Sequence, residues 1–241
     1  AERLALVNEL AARGPIVTID GPAGSGKTTV GRMLADLLGY MCLDSGIFYR
    51  AVALATIREG ADPSSTLDAV QAATSLQLRV EENTSGPRGT RVYDGERDIT
   101  EGLVSLGVEQ TVSLVSRIPE VRAAMLGPQR EVLREGRVVA LGRDLGTVVA
   151  PDAEVKVYLE ATLETRTQRR WKERLNGGEN TEMSAVRDGL IARDRIDSQR
   201  DVAPLKAAYD AVIISTDDQA PRAIVRAIQE LMAERGLLDG A

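Results

Sequence analysis

The sequence predicts an α/β fold with a central parallel sheet and a small antiparallel β insert, on three observations. Short β-branched runs alternate with stretches of helical period, a glycine-rich turn joins the first run to the first helix, and a turn-rich interval interrupts the alternation between Leu76 and Thr100. With 241 residues, 43% hydrophobic and 27% charged, the chain suits one globular domain of ordinary core size plus some elaboration. Such a composition excludes disordered, collagen-like and fibrous classes.

The first run is Pro15 to Asp20, bounded by Gly14 and Gly21, as a buried parallel strand should be. A helix follows directly: Val30, Leu34, Leu37 and Leu38 recur at helical spacing and Gly39 stops it. Further strands are predicted at Tyr40 to Leu43, Arg137 to Leu141, Glu154 to Leu159 and Ala211 to Ser215, with helical stretches between them. The exception is the interval from Leu76 to Thr100, where Leu76–Val80 and Thr90–Tyr93 flank the turn-rich Asn83–Gly89 and are followed by Asp94-Gly95. Two or three short antiparallel strands fit it. The expected organisation is therefore a core of residues 1–62 and 105–241 with an insert at 63–104. Asn176-Gly177-Gly178-Glu179-Asn180 marks a flexible point inside a helical lid at about 165–190.

The chain has no histidine, so Ser-His and Cys-His nucleophile pairs and histidine-ligated metal sites are excluded. Its one cysteine, Cys42, forms no internal disulfide and reads as a small buried hydrophobe in a reducing compartment. No apolar run approaches the roughly 18 residues of a membrane helix, and the start Ala1-Glu2-Arg3-Leu4 is charged, so a cytoplasmic protein with no membrane partner is expected. The net charge of −6 argues against nucleic-acid binding, yet residues 165–200 carry nine Lys or Arg against six acids. That segment points to a small anionic ligand, or else to a solvated helix face with internal ion pairs.

The strongest motif is Gly21-Pro22-Ala23-Gly24-Ser25-Gly26-Lys27-Thr28, which matches G-x-x-x-x-G-K-[ST] with a strand before it and a helix after it. Its glycines let consecutive N–H groups point into a phosphate-sized nest, and the helix N-terminus adds partial positive charge. Lys27 is placed to neutralise β and γ phosphates and the Thr28 hydroxyl to ligate Mg²⁺, so the chain is expected to bind ATP with residues 21–28 and the adjoining Thr29. A guanine-binding switch would carry Asn-Lys-x-Asp, but none of Asn8, Asn83, Asn176 and Asn180 precedes a lysine. Motors usually need larger chains or basic nucleic-acid surfaces. A small-molecule kinase leads.

Three further motifs end predicted strands or follow them. In an open parallel sheet the carboxyl ends of the strands meet the ligand crevice, so Asp44, Ser45 and Arg50 of Leu43–Arg50 belong there. Asp44-Ser45 also suits a helix cap, whereas Arg50 suits an acceptor phosphate. In Val138–Thr147, Arg143 suits a phosphate and Asp144 an exocyclic amine or a Mg²⁺-bound water; a local surface pair is the plainer alternative. In Arg193–Arg200, a helix would put Arg193, Asp197 and Arg200 at i, i+4 and i+7 on one face, two guanidiniums around a carboxylate that accepts a ribose hydroxyl.

Together these residues resemble the bacterial cytidylate kinases, within the P-loop nucleoside monophosphate kinases. The resemblance rests on Ile19–Lys27, Leu43–Arg50, Gly142–Ala153 and Arg193-Asp194 through Ala203-Pro204-Leu205, and runs from about Pro15 to Leu231. It implies a P-loop NTPase-type three-layer fold whose insert binds the monophosphate. It implies transfer of the γ-phosphoryl group of ATP, with Mg²⁺, to CMP or dCMP by a monomer. By position, Ser45, Ser113, Arg122 and Asp144 look like contacts to the acceptor's sugar or cytosine, and Arg50, Arg143 and Arg200 look like ligands of its phosphate. Arg193 with Asp197 looks like a ribose clamp, and Arg166, Arg169 and Arg170 resemble lid arginines that close over ATP. Lys27, Arg143, Arg200, Arg166 and Arg170 are then the expected catalytic set.

Two positions depart from the family's pattern. Leu141 stands where an acidic residue is common, which leaves Mg²⁺ water coordination to Asp44, Asp144 or the nucleotide. Leu103-Val104 stands where the family often has Ile-Arg. Two other readings compete: a different small-molecule kinase, for instance one acting on UMP, and a regulator that holds ATP without turnover.

Overall fold

The computed structural model describes residues 14–83 and 89–238. Five strands form one sheet in the order β2-β6-β1-β7-β8: β1 (Ile16–Asp20), β2 (Met41–Asp44), β6 (Val138–Gly142), β7 (Val155–Glu160) and β8 (Val212–Ser215). β1 pairs parallel with β7 from Val17↔Val155 to Asp20↔Tyr158, and β7 pairs parallel with β8. Every residue of β1 and β6 is buried, as expected of parallel strands covered on both faces. The expected α/β fold is thus present, with each strand within about one residue of its predicted bounds.

The chain divides into two compact units. One comprises the chain up to Ile16 with Gly39–Ala140, and the other Val17–Leu38 with the chain from Leu141 onward.

In the first unit, α2 (Gly46–Arg58) packs against α3 (Thr66–Ser75) and α4 (Leu106–Ser116), and α5 (Pro119–Leu133) packs against α3 and α4. α3 buries Ala69, Ala72 and Ala73, the small-residue stripe of a closely packed helix, and its Ser65 cap accepts a hydrogen bond from the Asp68 amide. The antiparallel strands predicted between Leu76 and Thr100 form a three-stranded sheet of β3 (Leu78–Asn83), β4 (Gly89–Asp94) and β5 (Arg97–Asp98), with β3 and β4 in register from Leu78↔Asp94 to Asn83↔Gly89. The turn expected between β3 and β4 lies mostly at residues 84–88, outside the described residues.

In the second unit, α1 (Lys27–Leu38) packs against α8 (Pro221–Glu234), which buries Ile224, Val225, Ile228 and Met232 on one face. α6 (Leu163–Asn176) and α7 (Met183–Ser198) pack together, and the predicted flexible point Asn176–Asn180 is the connection between them. Leu141 is buried against Gly31 of α1, where an added Cβ would overlap the leucine side chain. This explains the departure at that position: the residue fills core space that the absent Gly31 side chain leaves open.

No helix among the described residues is long and apolar enough to cross a membrane. Cys42 is buried, as expected.

Candidate active site

β1 ends at Asp20, and the chain then turns through Gly21, whose φ is +147°. A Cβ there would overlap the Leu159 carbonyl oxygen. Only glycine fits so close an approach of two backbones. Gly21→Ala is therefore expected to lower Tm by about 5 °C or more and to weaken ATP binding at least tenfold, read by thermal unfolding and nucleotide titration.

Lys27, the first residue of α1, is buried at 8% exposure and donates to the carbonyl oxygens of Gly21 at 2.7 Å and Pro22 at 2.6 Å. The Ser25 hydroxyl lies 3.4 Å away. An ammonium with its protons spent on the loop's own oxygens is already aimed at the loop's interior. Thr28 and Thr29 are exposed in the same first turn.

α6 closes on this loop from its first turn. The Arg166 guanidinium, 7% exposed as a residue, donates to Ala23 O at 3.3 Å and Ala161 O at 3.2 Å, and pairs with Asp194 Oδ2 at 2.7 Å. Gly24 leaves room for the Arg166 backbone, which a Cβ on Gly24 would approach to 3.2 Å at the carbonyl oxygen. Arg166 thus ties the loop to α6 and α7. Arg169 donates to Thr216 Oγ1 at 2.8 Å and to the Thr216 carbonyl, while Thr216 donates to Ser25 O at 3.1 Å. Arg170 is half-buried and pairs with Glu173 at 2.9 Å. The three arginines, equivalent by spacing, have three different environments.

Arg143 and Asp144 follow the end of β6. Asp144 is 5% exposed, and its carbonyl accepts from the amides of Val148 at 2.9 Å and Val149 at 3.3 Å, which winds Leu145–Val149 into a wide single turn. Arg143 Nε donates to Asp197 Oδ2 at 3.1 Å, and Arg200 Nη2 pairs with Asp197 Oδ1 at 3.1 Å. One buried carboxylate therefore holds two guanidiniums in place. The expectation that Arg193, Asp197 and Arg200 share one helix face needs correction, because α7 ends at Ser198 and Arg200 lies beyond it. Arg200 Nε instead turns back to Asp197 O at 3.2 Å, and Leu205 N donates to the same carbonyl at 2.8 Å. These bonds satisfy a last-turn carbonyl that the helix leaves over.

Asp20 was given no role by its sequence context. Its carboxylate is 4% exposed and accepts from two successive amides, Leu145 N to Oδ1 at 3.0 Å and Gly146 N to Oδ2 at 2.8 Å. Burial pushes its pKa up to about 6, against the pull of the Gly146 and Leu145 amides; nearby Asp144 raises it and Lys27 lowers it. A carboxyl shifted from 3.8 to about 6 favours the protonated form in the folded chain. Its ionisation therefore costs about 3 kcal/mol of stability, a cost present in full above pH 6 and relieved as pH falls from 6 towards 4.

In the first unit, Asp44 ends β2 exposed and accepts from Gly46 N at 2.9 Å, so it does bind the start of α2 as the capping alternative supposed. Ser45 occupies the cap position but makes no side-chain cap bond, and is buried. Arg50 donates to Leu103 O at 3.1 Å. Ser113 lies half-buried on α4. Arg122, on α5, is 5% exposed, donates to Ser116 O at 3.1 Å and lies 4.8 Å over the Tyr49 ring. Gln129 reaches the Tyr49 hydroxyl at 3.4 Å. Sequence reasoning missed Gln129 and Thr216, and gave no separate role to Tyr49 and Asp194, which lie within its second and fourth motifs. Thr216 had a signal, since it directly follows the predicted strand Ala211–Ser215 at its carboxyl end.

A strand-to-helix phosphate loop with a buried lysine, on an α/β sheet, defines a P-loop nucleotide-binding protein. The cytidylate kinase family model matches residues 17–234, and the chain belongs to that family. It is 39% identical over 215 residues to a cytidylate kinase of Exiguobacterium sibiricum, covering 89% of this chain and 95% of that one. With a cytidylate kinase of Pelotomaculum thermopropionicum it shares 42% over 217 residues, 89% of this chain and 94% of the relative. With one of Mycobacterium avium it shares 40% over 221 residues, 91% and 96% of the two chains.

Proposed function

We propose that this chain transfers the γ-phosphoryl group of ATP to CMP and dCMP, giving ADP and the nucleoside diphosphates. The observation that carries the reading is the pairing of Arg143 and Arg200 on buried Asp197 in the same unit as the phosphate loop. Two held guanidiniums suit the phosphate of a monophosphate acceptor, and an alcohol acceptor would leave them without one.

The residues present also fit Mg²⁺ carried on ATP phosphates, which takes one or two protein ligands and keeps several waters. Thr28, exposed in the first turn of α1, would hold it through its hydroxyl; Asp44 is a further candidate, through water. Bound there, the ion would neutralise charge on the transferring phosphate. Residues 21–29 and Arg169 would bind the triphosphate, with the loop's amides on its oxygens. Lys27 would exchange its bonds to Gly21 O and Pro22 O for phosphate oxygens. Arg166 keeps the loop closed from α6, and Arg170, half-buried on the same helix, would swing onto ATP as the lid at about 165–190 closes and excludes water.

Ser45, Arg50, Ser113 and Arg122 are further proposed acceptor contacts, with residues 63–104 as the monophosphate-binding insert. Arg193 and Asp197 would hold its ribose and Asp144 its cytosine amine. No general base is required: the acceptor phosphate, with a second pKa near 6, is mostly dianionic at neutral pH, consistent with a chain that has no histidine. Positioning and charge neutralisation supply the rate.

The test is ADP formation with CMP, dCMP, UMP, AMP, GMP and no acceptor. Strong dependence on CMP or dCMP is expected; turnover without acceptor, or none despite tight ATP binding, would reject the reading in favour of a nucleotide-holding regulator. Asp144→Asn is expected to cut the CMP-over-UMP preference about tenfold, because a carboxylate accepts from cytosine N4 and a carboxamide offers a donor to uracil O4. An unchanged ratio of kcat/KM would remove Asp144 from base selection.

A further inference from the structure

We infer that Asp20 is a positioning residue of the acceptor site: by holding the Leu145 and Gly146 amides on its two carboxylate oxygens, it sets the direction in which Arg143 and Asp144 leave the end of β6. The inference rests on the reading of Arg143 and Asp144 as acceptor contacts.

The placement is unusual for a carboxylate. Asp20 is the last residue of β1, 4% exposed, and ends a strand whose every residue is buried. An ionised carboxyl accepts only, and the two oxygens of Asp20 face two successive N–H groups at 3.0 and 2.8 Å. Those amides open the turn Leu145–Val149, where N–H groups have no partner within the turn itself. The residue immediately before them is Asp144, whose carbonyl closes the same turn by accepting from Val148 and Val149. Pinning residues 145 and 146 therefore fixes the peptide that carries Asp144 and, one residue back, Arg143, whose guanidinium must meet Asp197 at 3.1 Å.

The same residue is anchored on its other side. Asp20 is paired in register with Tyr158 of β7, and the next residue, Gly21, offers its carbonyl to Lys27 at 2.7 Å. One strand end thus carries the phosphate loop along its chain and the Arg143-Asp144 peptide through its side chain. The ionisable groups facing it are Lys27 of α1, Asp144 of the turn and Tyr158 of β7. Only Lys27 favours the charge, so the anion is kept for the two bonds it accepts. Serine or asparagine offers one acceptor in place of two, and each would leave one amide without an oxygen.

The experiment compares equilibrium binding of CMP and of ATP, with kcat, for Asp20→Asn and Arg143→Gln at pH 8, where Asp20 is ionised. Asp20→Asn is expected to weaken CMP binding about tenfold and to lower kcat while ATP binding changes less than twofold, with Tm within a few degrees of the parent protein. Equal weakening of both ligands, or a fall in Tm alone, would make Asp20 a general support of the fold and overturn the inference. If Arg143→Gln leaves CMP binding unchanged, the reading of the acceptor site fails; if it weakens CMP binding and Asp20→Asn does not, only the Asp20 inference fails. Should Asp20→Asn not fold, Asp20→Ser is measured in the same way. In the unaltered protein the Leu145 and Gly146 amides are expected to exchange with solvent as slowly as those of β1; fast exchange would overturn the inference without any variant.

Discussion

Lys27→Met lowers kcat by about 10²–10³-fold with CMP, dCMP and every weaker acceptor alike, because the loss falls on the phosphoryl group common to all of them. Methionine keeps most of the length and the unbranched apolar stem of lysine and removes the charge and three donors. The carbonyls of Gly21 and Pro22, which take 2.7 and 2.6 Å bonds from Lys27, then lose their partner. An unsatisfied buried acceptor costs about 1–3 kcal/mol, which in a chain of this size lowers Tm by several degrees. Steady-state rates with two acceptors and a thermal melt together decide the outcome. A fall in kcat that differs tenfold between CMP and UMP would place Lys27 on the acceptor and contradict the phosphate-loop role.

Asp197→Ala has the second largest effect, and it acts on affinity and stability at once. The substitution removes the carboxylate that holds Arg143 at 3.1 Å and Arg200 at 3.1 Å, leaving two cations in a region where Arg200 is 9% exposed. Removing one partner of a buried ion pair costs about 3–5 kcal/mol, because the remaining charge stays desolvated. Tm is expected to fall by about 10 °C. The loss in kcat/KM for CMP is about 10²-fold, since both guanidiniums lose their fixed direction, whereas KM for ATP stays within threefold. Asp197→Asn, which retains one acceptor oxygen, falls between the two proteins. A variant with parental kcat/KM for CMP would remove the Arg143–Asp197–Arg200 group from the acceptor site.

Much of the fold was legible in the sequence because parallel strands and amphipathic helices write their burial into local order. Ile16–Asp20 is an unbroken run because both of its faces are covered, and Ile224, Val225, Ile228 and Met232 recur because one face of α8 is. The phosphate loop was legible for the same reason: its function lies in consecutive backbone amides, so its residues must be adjacent. The arginines were legible only as a set. Arg166, Arg169 and Arg170 follow helical spacing, but nothing in that spacing tells that the first is buried against Ala23 and Asp194, the second bound to Thr216 and the third paired with Glu173. Likewise the run Arg193–Arg200 reads as one continuous helix until Arg200 leaves it, because a carbonyl left over in the last turn draws the guanidinium back.

By itself the sequence determined the order of elements, the phosphate loop with its lysine and threonines, the β insert, and the family to which the chain belongs. Those properties depend on residues that are neighbours along the chain or recur at a fixed period, where torsional preference and one-sided burial act locally. The tertiary structure alone decided that Asp197 grips Arg143 across 54 residues and that Asp20 takes the amides of Leu145 and Gly146 across 125 and 126. The backbone amides of residues 145 and 146 carry no signature in any side chain, and a carboxylate's partner is whatever donor the fold brings within about 3 Å of it.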